Sequence, residues 1–203
     1  MKKLLFISFL IASFSLDSRS QEYDFPHFTS GVEWGYDATF HKLWHYNFFS
    51  PEGYRVNQSE NTFFYKNNAE AYLNAGYNID HNWNISLYLG IAGLGDLHKA
   101  IPISLRGTYY WDDNPLNDRW FTFIDLGSGI SWKRPVQEIF SGKAGGGYRM
   151  SLSRDVKLDF LLAFKATYTH SDIIYDDVRI DSERINRNDM LLSAIYLGMA
   201  INF

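Results

Sequence analysis

Apolar and polar positions alternate with a period of two along most of this chain, most clearly at its end, from Leu191 to Phe203. Leu191, Ser193, Ile195, Leu197, Met199, Ile201 and Phe203 share one parity there. Leu192, Ala194, Tyr196, Gly198, Ala200 and Asn202, smaller or more polar, hold the other. Alternate residues of a strand point to opposite faces, so this is a strand with one apolar face.

The same reading predicts seven strands before it. From Glu33 to Asn47, Trp34, Tyr36, Ala38 and Phe40 face one way and Glu33, Gly35, Asp37, Thr39 and His41 the other. A second strand sets Ala69, Ala71, Leu73, Ala75, Tyr77 and Ile79 against Asn68, Glu70, Tyr72, Asn74, Gly76 and Asn78; a third sets Trp83, Ile85, Leu87, Leu89 and Ile91 outward. Ile101 to Trp111, Trp120 to Ile130, Lys143 to Leu152 and Lys157 to Tyr168 supply the rest. Residues 46–63, with Ser50-Pro51-Glu52-Gly53, read as a long loop, as do 93–100, 131–141 and 171–188, while 80–82, 112–118 and 153–155 read as tighter turns rich in turn formers. The connections thus alternate long and short, as an antiparallel up-and-down barrel in a membrane requires.

A chain ending in such a strand with a terminal Phe resembles the small eight-stranded outer-membrane β-barrels of Gram-negative bacteria, with OmpA-like and OmpX-like architecture. The resemblance covers residues 31–203 and is one of pattern and termini. It implies an all-β, eight-stranded antiparallel transmembrane barrel with both termini in the periplasm, and a last strand read by the barrel assembly machinery. It also implies contact with outer-membrane lipid and lipopolysaccharide. The role it implies is a scaffold displaying loops for structure, adhesion or surface recognition, with an extracellular or outer-membrane protein partner. A lipid A-modifying enzyme and an accessory subunit of a larger complex are the alternatives.

Composition narrows this further. Phe, Tyr and Trp make up 18% of the residues, and Trp34, Trp83, Trp111 and Trp120 all fall at the end of the barrel where the chain enters, as a periplasmic girdle would require, with Trp44 and Trp132 at the outer ends. Met1-Lys2-Lys3, an apolar stretch from Leu4 to Leu16 and small residues before Gln21 have the layout of a signal peptide over residues 1–20, leaving 21–203 as the barrel. With no cysteine there is no disulfide and no lipidation site. A net charge of −4 without a basic stripe argues against nucleic acid as a partner.

The inward parity carries Glu33, Asp37, Glu70, Arg106, Asp125, Lys143, Arg149, Lys157, Asp159 and Lys165, close to charge balance. An eight-stranded barrel is just wide enough for side chains to fill, and buried charges must pair, so a plug of ion pairs is expected rather than a pore. Candidate chemistry is thin. Tyr168-Thr169-His170-Ser171 resembles the barrel-type lipid A deacylases, which carry His-x-Ser followed by Asn. Here Ser171 follows His170 directly and the Asn is missing. Asp37, His41 and His45 share the inward parity, but i, i+4 on a strand is roughly 13 Å, too far for one metal. His81 and His98 fall in connections, and Asp172, Asp176, Asp177, Asp181 and Glu183, interleaved with Arg179, Arg184 and Arg187, lack the fixed spacing of a calcium loop. Gly145-Gly146-Gly147 opens no helix and is read as a bend in the wall. No catalytic, metal-binding or cofactor-binding residue is assigned.

Overall fold

In the computed structural model, which describes residues 26–94, 98–132, 138–176 and 178–203, eight antiparallel strands close into a ring. The strands are β1 (Phe28–Phe49), β2 (Arg55–Asn78), β3 (Trp83–Leu94), β4 (His98–Tyr110), β5 (Arg119–Ser131), β6 (Glu138–Ser151), β7 (Lys157–Thr169) and β10 (Ile185–Asn202). Each pairs with its sequence neighbours, and β1 closes the ring on β10. In the closed section of the ring there is no sheet edge, and each wall strand is laddered on both sides there. A two-residue-per-strand ribbon, β8 (Ile174–Tyr175) with β9 (Val178–Arg179), sits in the β7–β10 connection. The signal-peptide segment lies outside the described residues.

The alternation predicts the faces of seven strands as they stand. Leu73, Ile85, Leu87, Leu105, Ile124, Leu126, Leu162 and Leu197 are exposed on the outside, while Glu70, Tyr72, Tyr88, Arg106, Asp125, Arg149, Asp159 and Tyr196 are buried within. The loops need correction. Residues 46–63 are mostly strand: β1 runs to Phe49, and β2 begins at Arg55. The segments 93–100 and 131–141 are likewise largely taken up by strand ends, which places the backbone of His98 in β4 opposite Leu94. Long and short loops therefore do not alternate. What marks one end of the barrel is strand length, because β1, β2 and β10 project well past β3 to β6.

The turn at the tip of the projection follows from its residues. Ser50 and Gly53 bond through Gly53 N–H to Ser50 O at 3.0 Å, Pro51 presets the bend, and Gly53 takes φ of 92°, a left-handed conformation that costs other residues energy.

A second correction concerns β1 itself. A bulge between Thr39 and His41 inserts Phe40 and shifts the register against both β10 and β2. A shift of one residue turns every later side chain to the other face. His41, Leu43 and His45 therefore face outward, and Trp44, Tyr46 and Phe48 turn in. Asp37, His41 and His45 do not share a face, and Trp44 belongs to the interior rather than to an outer girdle.

Two outcomes test this fold. Gly53→Val should lower stability by about 1–2 kcal/mol, the cost of a branched residue in the left-handed region, read by urea unfolding in detergent micelles. Deleting Phe40 should restore the parity of β1, so a cysteine placed at 45 becomes shielded from a water-soluble maleimide that labels it in the bulged chain.

Candidate functional site

Three regions carry the chemistry: the lumen, the projecting mouth and the outer wall. In the lumen, Arg106 of β4 forms a two-pronged bond to Glu33 of β1 at 2.6 and 2.9 Å, and its Nη2 and Nε reach Asp125 of β5 at 3.0 and 3.2 Å. Tyr88 accepts from Arg106 at 2.9 Å, and Tyr196 donates to Glu33 at 2.7 Å. Nearer the mouth, Lys143 of β6 reaches Glu70 on the opposite wall at 2.9 Å, while Lys165 of β7 bonds Asp37 at 2.6 Å and also Glu70. Toward the chain ends Arg149 pairs with Asp159 through bonds of 2.7 and 2.6 Å, and Asn202 donates to Asp159 at 2.8 Å. Aromatic faces take up the cations: Arg106 lies 4.0 Å from the Tyr88 ring, and Lys143 lies 4.2 Å from Tyr196.

All of the predicted inward charges are here except Lys157, which sits at the rim and bonds Ser151 Oγ and Ser153 O at 3.1 Å. Arg119, which the alternation did not single out, is buried at the same end and donates to the carbonyls of His81 and Asp112. Cavities of about 20 and 10 Å³ remain in the lumen, room for a single water each. The ion pairs thus fill the section of the barrel.

At the mouth Tyr46, Phe48, Val56, Ile173 and Ile180 pack together, with Trp44, Tyr175 and Ile185 against them. The β8–β9 ribbon folds over the projecting sheet and drops Ile173 and Ile180 onto Phe48, all three nearly fully buried. Tyr54 at the hairpin tip bonds Tyr175 at 3.0 Å, and that bond pushes the Tyr54 hydroxyl up to about 12. In sequence, the only sign of this cap is a pair of isoleucines, Ile173 and Ile180, in an acidic loop.

The outer wall is apolar through its middle and aromatic toward its ends. At the end holding the termini, Trp83 meets Tyr109 at 5.0 Å and Trp120 meets Tyr148 at 4.9 Å, both ring pairs tilted, with Trp34 and Trp111 exposed beside them. An outward recess of about 1220 Å³ between Trp34, Tyr36, Trp120 and Tyr148 is almost wholly apolar. A polar, ion-paired interior behind an apolar wall is the inverse of a water-soluble barrel. The chain is a transmembrane β-barrel.

His170, weighed for catalysis, is bonded away from the Ser171 hydroxyl. His170 gives Nδ1 to the Asn188 carbonyl and meets Tyr168 edge-on at 5.4 Å, while the carbonyl of buried Ser171 accepts from Asn188 Nδ2. The register also sets Ser59, His45 and Asp189 abreast on three neighbouring strands, outside the mouth. His45 Nε2, however, meets Asn57 Oδ1 at 3.2 Å, and Asp189 takes the Tyr168 hydroxyl and Arg187 Nε. A serine nucleophile needs its base within hydrogen-bond reach, and this row does not provide it. Among the described residues no three His, Asp or Glu gather as a metal site, and Asp172 is bonded to Arg179 at 2.8 Å.

No protein-family model matches the chain, and no curated protein matches it. Among solved structures, it is similar to the N-terminal β-barrel domain of Pseudomonas aeruginosa OprF at 12% identity and a TM-score of 0.43, covering 84% of this chain and 97% of that one. It is similar to Neisserial surface protein A at 13% and 0.39, covering 86% and 99%. A third likeness is to the outer membrane protease OmpT from Escherichia coli, at 8% and 0.40, covering 92% and 100%. These likenesses are too distant to bear on activity.

Arg106→Ala should cost about 3–5 kcal/mol in urea unfolding, because it strands Glu33 and Asp125 in the lumen. The intact chain in a planar bilayer should show no steady open conductance.

Proposed function

We propose that the protein is a non-enzymatic barrel of the Gram-negative outer membrane, both termini in the periplasm, whose projecting sheet recognises an extended segment of another surface or host protein. The observation that carries this is the free edge of β2. It pairs with β3 only from Glu70 to Asn78, and among the described residues 55–65 are laddered to β1 alone. A free edge offers a row of unpaired N–H and C=O groups, to which a partner strand adds through main-chain bonds, with alternate side chains giving specificity. Ser59 and Asn61, exposed on the outer face of that edge, would supply such contacts.

The filled lumen and the ribbon packed on Phe48 support the same reading, since neither serves transport. A segment with the layout of a signal peptide leads into the periplasm, which supports the orientation. The accessory-subunit reading uses this same edge with a partner in the membrane.

The test begins with heat-modifiable gel mobility of outer-membrane fractions and mass spectrometry of lipid A, with and without the protein. A mobility shift and unchanged lipid A are expected; a changed acyl pattern would make the protein a lipid-modifying enzyme instead. Gln58→Pro and Ser59→Pro then divide the edge, since successive N–H groups of a strand point to opposite sides. One variant should weaken the β1 ladder and the other should abolish adhesion of cells to immobilised matrix glycoproteins while keeping the mobility shift.

A further inference from the structure

The bulge at Phe40 puts histidine on the outer wall where a simple alternation would put it inside, and the neighbouring strands complete a cluster. On β1 and β10 His45 stands opposite Asp189, and Asn47 stands opposite Arg187. On β2 Arg55 reaches back to Asn47 Oδ1 at 3.0 Å, and His170 follows the end of β7 beside Asp189. Directly below lies a row of Leu43, Leu191 and Tyr168, with Phe164 and Ile195 further down the apolar wall. Two residues along a strand advance about 7 Å, so the cations stand one step above this row.

The cluster is built as well as charged. Tyr168 holds one oxygen of Asp189 and Arg187 Nε holds the other, which fixes the guanidinium while leaving the Arg187 side chain 56% exposed. Two guanidiniums and two imidazoles face one already neutralised carboxylate. A planar guanidinium held by one edge presents the other to an anion in the bidentate geometry that suits phosphate.

We propose that this patch, formed by Arg187, Arg55, His45 and His170, binds the phosphorylated sugar headgroup of an outer-leaflet glycolipid whose acyl chains lie on the apolar wall beneath. The inference rests on the outer-membrane placement proposed above, and takes from the β2 edge only Arg55, which turns back onto β1.

The probes are bisphosphorylated lipid A and the same lipid with its phosphates removed, presented to the full chain in phosphatidylcholine nanodiscs, with retention read by native mass spectrometry. The chain should retain the phosphorylated lipid about tenfold more strongly, the size of one charge-assisted contact, and R187Q and H170Q should each remove most of that preference. K99Q, on the far side of the barrel, should leave it unchanged, and heat-modifiable mobility identifies any variant that has not folded. Equal retention of the two lipids by the inserted protein would overturn this site and leave the placement standing. Failure of the full chain to insert would overturn both. Loss of the preference in millimolar inorganic phosphate would assign the cluster to free phosphate and overturn the lipid reading.

Discussion

Everything inside this barrel depends on the cost of taking a charge out of water. Eight strands close around a lumen with room for little more than single waters, so an ion brought inside must meet a counterion or, as Arg119 does, backbone carbonyls and an aromatic face. Arg106 meets that condition most completely, with Glu33, Asp125 and Tyr88 as partners and aromatic faces on either side. Because its partners come from β1, β3 and β5, the pairing fixes which walls face each other. The lumen specifies the barrel as much as the ladder does.

The outer surface obeys the opposite rule. In hydrocarbon an apolar side chain gains nothing by hiding, so Leu, Ile and Phe stand exposed along the wall, and the rings with a polar handle gather toward its ends. The two rules share one strand period. That is why the alternation in β2 through β7 and in β10 predicts the faces of these strands before any coordinate is seen. Glu70 and Leu73 are separated by three positions and therefore by a wall.

What the sequence does not disclose follows from the places where that period is broken or left unused. Phe40 looks like the next residue of a regular apolar face, and only the pairing with β10 and β2 shows that it is inserted. Every assignment beyond it, from His41 to Phe48, is consequently inverted. The projecting hairpin was hidden for a different reason: Asn57 to Thr62 is polar on both faces, as a loop would be, because a sheet standing in water needs no apolar side. The cap over the mouth depends on Ile173 and Ile180 meeting Phe48, far away in the chain, and no local periodicity records such a contact. The outer cluster around Arg187 is a matter of register among four strands.

The free edge of β2 also carries a liability. Proteins standing side by side in a crowded membrane hold their exposed edges at a common height, so an edge able to accept a partner strand could equally zip onto the edge of an identical neighbour. From Asn57 to Thr62 that strand reads Asn, Gln, Ser, Glu, Asn, Thr, and Lys66 follows. Two such edges laid together would bury polar side chains and gain little hydrophobic area. The composition that makes the hairpin resemble a loop therefore also keeps neighbouring copies apart.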